Sequence, residues 1–233
     1  MTPDLPTPHA ASPFADLNAQ GLNLQAVFNV ADLPADVQAA LPQDAGAPYR
    51  QLLLIGHLGG LLWQQMALAG MEGAHPMDAF ARTHVAAWLA HTQPGVRHRF
   101  VYPGPAPIGL QRLGQLAGWH HASPFMVGVN AAWGSWFAYR AAVLADTTLA
   151  PTPPLASQSP CDACPGRICV GQCPAGALEG GYNLSACLDY RRQPDSACQD
   201  RCLARNSCPV GSEHRYSDAQ IRYHYGQSLA ART

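Results

Sequence analysis

All eight cysteines of this 233-residue chain fall between positions 161 and 208, and none precedes them. No other feature restricts the fold as strongly. Thiols this dense serve disulfides, zinc or an iron–sulfur cluster, and each use demands its own local geometry. The segment "APTPPLASQSP" (150–160) stands immediately before them and reads as a Pro/Ser-rich linker. The chain therefore divides into a cysteine-free part and a cysteine-bearing module.

Composition narrows the use of the thiols. The first residues, "MTPDLPTPHAASPFADLN", carry prolines and acids where a secretory leader has a charged and then an apolar region. No apolar run approaches the roughly 20 residues of a membrane span. The expectation is a cytoplasmic protein with no membrane association, where thiols stay reduced; disulfides are accordingly disfavoured. The sequence is 48% hydrophobic and 12% charged, against a usual charged fraction of roughly 25%, so a sizeable core is expected. Arginine supplies all 14 basic residues, which with the many alanines reads as GC-rich bacterial codon usage. At a formal net charge of -1, with no basic run longer than the pair Arg191–Arg192, a nucleic-acid partner is not evident.

The cysteine spacing then points to clusters. The first run is Cys161-x2-Cys164-x4-Cys169-x3-Cys173-Pro174, and the second set is Cys187, Cys198, Cys202 and Cys208-Pro209. Two-cluster ferredoxins use C-x2-C-x2-C-x3-C-P, and the fourth cysteine of each run ligates the other cluster. On that rule Cys161, Cys164, Cys169 and Cys208 bind one [4Fe–4S] cluster, and Cys173, Cys187, Cys198 and Cys202 bind a second. The spacer between Cys164 and Cys169 is longer than in that pattern. Zinc is the rival: Cys161/Cys164 and Cys198/Cys202 have the spacing of zinc knuckles, but neither Cys-Pro suits one.

The remaining elements give an α+β domain over 21–150. Strands are expected at 22–30, 49–60 and 97–104, and helices at 61–70, 75–92 and 107–119. Residues 124–146 read as two strands across a turn near Ala132–Gly134, and residues 1–20 as a loose arm. The cysteine module spans 161–212, and 213–233 is a C-terminal segment that returns to the first domain.

Other candidate residues are scattered. His57, at a strand-to-loop boundary, is placed to bind an anion or cofactor tail, or to be an ordinary loop histidine. His75 and Asp78 sit at a helix start, where Asp78 either donates a proton or complements the helix dipole. His120 and His121 read as an exposed loop pair. Trp133, Trp136, Phe137 and Tyr139 read mainly as packing residues. Arg191 and Arg192 follow Cys187 and either act on a cluster's potential, dock an anionic donor, or lie solvated.

The cysteine order, with the isolated Cys187 in "ACLDYRR", resembles epoxyqueuosine reductase, a family that sets a ferredoxin-type dicluster module behind a cobalamin-binding domain. "WGSWFAYRAAVLAD" (133–146) and "HRYSDAQIRYHY" (214–225) are similar to segments of the cobalamin C trafficking proteins. The resemblance implies a nitroreductase-like α+β fold, two [4Fe–4S] clusters and cobalamin, with Asn130 at the position of a corrinoid-contacting residue. The C-terminal repeat region of epoxyqueuosine reductases has no counterpart here, so a tRNA substrate is not implied. The expected function is an iron–sulfur oxidoreductase that takes electrons from a low-potential donor protein and passes them to a corrinoid or small molecule. The alternatives are a ferredoxin-like partner without a corrinoid, and a structural zinc protein.

Overall fold

The computed structural model describes residues 12–42 and 46–231. Four antiparallel strands form one sheet in the order β1-β2-β4-β3: β1 (Leu24–Asn29), β2 (Gln51–Leu58), β3 (His98–Tyr102) and β4 (Phe137–Ala145). Helices α1 (Ala15–Ala19), α2 (Ala35–Ala40), α3 (Leu61–Ala69), α4 (Pro76–Thr92) and α5 (Leu110–Leu116) belong to the cysteine-free part. Helices α6 (Ile168–Gly171), α7 (Leu184–Arg192), α8 (Leu203–Asn206) and α9 (Asp218–Ala230) follow the strand β4.

The sheet is covered on both faces, which explains why its central strands read as continuous apolar runs. Leu53 and Ile55 of β2, with Ala141 and Val143 of β4, pack on Val85, Trp88 and Leu89 of α4. Leu52 and Leu54, with Ala142 and Leu144, face Val37 of α2 and Leu113 of α5. The edges β1 and β3 are only partly buried.

The loose arm expected over 1–20 does not describe residues 15–19. Residues 1–11 lie outside the described residues, and 15–19 form α1, whose Leu17 is 1% exposed against the α4 core. The second correction concerns 124–146, where one strand replaces two. Before β4 the chain makes only the isolated bridges His121↔Val129 and Asn130↔Gly134. Met126 at φ 62° and Gly134 at φ 60° bend it out of extended geometry.

Gly134 also fixes how the cysteine module meets the sheet. A Cβ there would lie 2.0 Å from the Val210 carbonyl oxygen, and one on Gly211 would lie 2.1 Å from the Trp133 carbonyl carbon. The two backbones touch because both residues are glycine, so Cys208-Pro209 arrives next to the entry of β4. The 150–160 segment has no helix or strand but is pinned: Thr152 N donates to Val27 O at 3.0 Å and Leu155 N to Ala117 O at 2.9 Å. No helix among the described residues is long and apolar enough to cross a membrane.

Candidate metal centres

Two cavities lie in the module, and they divide the cysteines four and four. Cys173, Cys187, Cys198 and Cys202 line one of about 220 Å³. Cys161, Cys164, Cys169 and Cys208 line a smaller one of about 30 Å³, together with Pro209 and Ile168. All eight are free thiols. The chain crosses between the cavities at each Cys-Pro. α6 carries Cys169 toward the first cavity, and Pro174 follows Cys173 toward the second. α7, capped by Asn183 Oδ1 accepting from Ala186 N at 3.0 Å, presents Cys187. Cys202 caps α8, its Sγ accepting from Arg205 N at 3.4 Å.

The surroundings are apolar: Phe125, Leu178 and Ala204 are buried with Cys169 in one cluster, against which Cys173, Cys202 and Cys208 pack. Burial first, and then the neighbouring thiols of the same set, push the thiols of Cys161 and Cys169 up. Burial does the same to Cys198 and Cys202. Holding four thiolates in such a place requires a positive centre. Among the described residues no three His, Cys, Asp or Glu side chains gather closely enough for a single metal ion. Four thiols line each of the two cavities, the number and type of ligands that a [4Fe–4S] cluster would take.

A groove of about 630 Å³ adjoins both cavities: it shares Cys161 and Arg167 with the first and Met126, Leu178 and Tyr182 with the second, and Ser123 is among its other lining residues. Its size lies within the range of small-molecule and cofactor pockets.

The other sequence candidates are dispersed. His57 is the penultimate residue of β2, where the ladder ends at Leu58↔Phe137, just before the Gly59–Gly60 turn into α3. It is fully buried and its Nδ1 accepts from Arg140 Nε at 2.9 Å. Arg140 is the extra residue of a β-bulge: Ile55 pairs with Ala141 and Gly56 with Tyr139. The bulge turns the guanidinium toward His57. Asp78 acts electrostatically on the same arginine, so His57 and Asp78 share a neighbourhood. Asn130 does not join them. Its Nδ2 donates to Gly118 O at 3.2 Å and its Oδ1 accepts from Ala132 N at 2.9 Å, which closes the turn before β4. His75 is exposed at the N-cap of α4. His120 and His121 are not an exposed pair: His120 Nδ1 meets Tyr139 Oη at 3.0 Å, and His121 Nε2 meets Ser157 Oγ at 3.0 Å. Trp136 is fully buried and Trp133 packs on Phe137. The sequence reading missed Arg140 and Arg205. A basic residue inside an otherwise apolar strand was the available signal for the first.

His57 and His224 form a buried pair with ring centroids 6.5 Å apart. Burial first, then Arg140, lowers both: His57 well below the usual value, and His224 to about 3. A histidine held neutral in the fold contributes no instability above its unfolded value of about 6.5, and destabilises as pH falls below it. Each should cost about 1.4 kcal/mol per pH unit there, or about 2 kcal/mol between pH 6.5 and 5. Chemical denaturation at those two pH values should show the loss, and His224→Gln should reduce the pH dependence without abolishing it.

The chain is thus a mixed α+β scaffold with one four-stranded antiparallel sheet and a cysteine-bearing module. No protein-family model matches the sequence, and no curated protein matches it. Solved structures do match its fold. The Bacillus subtilis epoxyqueuosine reductase, with its catalytic loop swung out of the active site, aligns at a TM-score of 0.55 and 12% identity, over 88% of this chain and 66% of that one. An epoxyqueuosine reductase bound to a modified tRNA stem loop aligns at 0.55 and 12%, over 90% and 67%. A C. elegans B12-trafficking protein overlaps at 0.42 and 14%, over 87% and 84%, a likeness too loose to argue from. The chain thus has the nitroreductase-like fold of epoxyqueuosine reductase and spans about two thirds of the length of those structures.

Proposed function

We propose that this chain is an iron–sulfur redox protein that holds two [4Fe–4S] clusters and delivers electrons to an acceptor at the groove beside Cys161. The observation that carries it is the crossed division of the eight cysteines, in which Cys173 and Cys208 each leave their own run for the other cavity. Zinc is disfavoured because neither Cys-Pro suits a zinc knuckle. When bound, the clusters supply one-electron transfer at potentials set partly by burial and hydrogen bonding. The protein's own part is placement. Phe125 and Leu178 exclude water, and the Gly134–Gly211 contact seats the module on the sheet. The groove brings an acceptor against the Cys161 loop, and a corrinoid is the acceptor that the sequence resemblance implies.

Anaerobically purified protein should hold about eight irons and as many labile sulfides per chain. Stoichiometric zinc without sulfide would reject the clusters. Titration of the loaded protein with hydroxocobalamin tests the acceptor: spectral binding lost on blocking the groove with Ser123→Trp supports a corrinoid there. No binding at high micromolar concentration favours a ferredoxin-like partner. A tRNA stem loop, the ligand of one fold neighbour, forms a third arm, in which saturable binding would place the substrate among RNAs.

A further inference from the structure

The two cavities differ in charge. Arg191, one helical turn after Cys187 on α7, lines the second cavity and is 6% exposed. Its Nε donates to Cys198 O at 3.1 Å, and its Nη2 to Gln199 O at 3.3 Å and Tyr225 O at 2.7 Å. All three acceptors are neutral carbonyls, and no carboxylate among the described residues pairs with it. Arg201 lines the same cavity but is paired with Asp200 at 2.9 Å. Arg205 is also buried with neutral acceptors, Ser135 Oγ and O, but it lies over Trp136 and does not line the cavity. Around the first cavity the only charged lining residue is Arg167, which is exposed, as is the adjacent Asp162.

We propose that Arg191 is a positioning and charge-setting residue that raises the potential of the second cluster above that of the first. This rests on the two-cluster reading given above. A low-potential one-electron donor is oxidised by one electron, the cluster that receives it is reduced by one, and the site becomes one unit more negative. A buried cation stabilises that added charge far more than a solvated one, because little solvent screens it. The second cluster is therefore the first to be reduced, and the first cluster is the stronger reductant of the two.

The test is a redox titration of the cluster-loaded full chain, followed by paramagnetic resonance. The surviving signals of Cys173→Ala and Cys208→Ala identify each cluster. In the wild type the cluster of Cys173, Cys187, Cys198 and Cys202 should be reduced first. Arg191→Met should shift that cluster alone to lower potential, with iron content unchanged, and Arg191→Lys should restore most of the shift. Full iron with an unmoved potential in Arg191→Met overturns the inference and leaves the cluster reading intact. Equal loss of the second cluster in the Met and Lys variants overturns it too, because the role is then purely structural. A wild-type chain without clusters overturns both readings.

Discussion

Cys173→Ala should lose about four of eight irons, and the cluster that survives should be the one held by its own sequence neighbours. Cys173 stands four residues after Cys169, closer in sequence than any cysteine of the second set. Yet it lines the cavity of Cys187, Cys198 and Cys202. Cys208→Ala should give the mirror result, sparing that cavity and emptying the one of Cys161, Cys164 and Cys169. Iron analysis with resonance spectra of the survivor reads both variants. If Cys173→Ala and Cys161→Ala left the same surviving cluster, the division into cavities would not describe ligation. Each loss should also lower stability, because ligand binding by a folded site contributes directly to folding.

Trp136→Ala should destabilise the chain by about 3–5 kcal/mol, the usual cost of removing a large buried aromatic side chain. Trp136 is fully buried in a small core with Tyr216 and Ile221. Its ring lies 5.4 Å from that of Tyr216, edge to face, and Arg205 stands over it at 4.6 Å. It therefore joins three parts of the chain: the entry of β4, the turn after the last Cys-Pro, and α8 of the cysteine module. Its removal should loosen the module as well as the core. Chelator should strip iron faster from Trp136→Ala than from a variant of similar stability loss in the α4 core, such as Leu89→Ala. Trp136→Phe should recover most of both effects. Equal iron release from Trp136→Ala and Leu89→Ala would mean that this contact does not hold the module.

Much of the scaffold was legible because the signals were local. The run at 51–58 announces a strand buried on both faces. Gly70 ends α3 at φ 83°, and Pro76 opens α4. The readings that failed depended on distant partners. The stretch before β4 has strand-like composition, but the glycine contact with 210–211 holds it in a turn. His120 and His121 look like loop residues until Tyr139 and Ser157 arrive from elsewhere in the chain. α1 reads as part of an arm because its one buried residue, Leu17, finds its partner on α4.

The division of the cysteines between two cavities follows the order of the sequence: each run ends in Cys-Pro, and its last thiol lines the cavity of the other run. Tertiary structure alone decided what surrounds them. One unpaired residue in the β2–β4 register turns Arg140 onto His57, a shift that no pattern along β4 encodes. Arg191 and Arg192 are neighbours in sequence, yet the first is buried and the second exposed. Burial and bulges come from contacts between segments far apart in the chain, and only the assembled packing determines which of two adjacent charges loses its water.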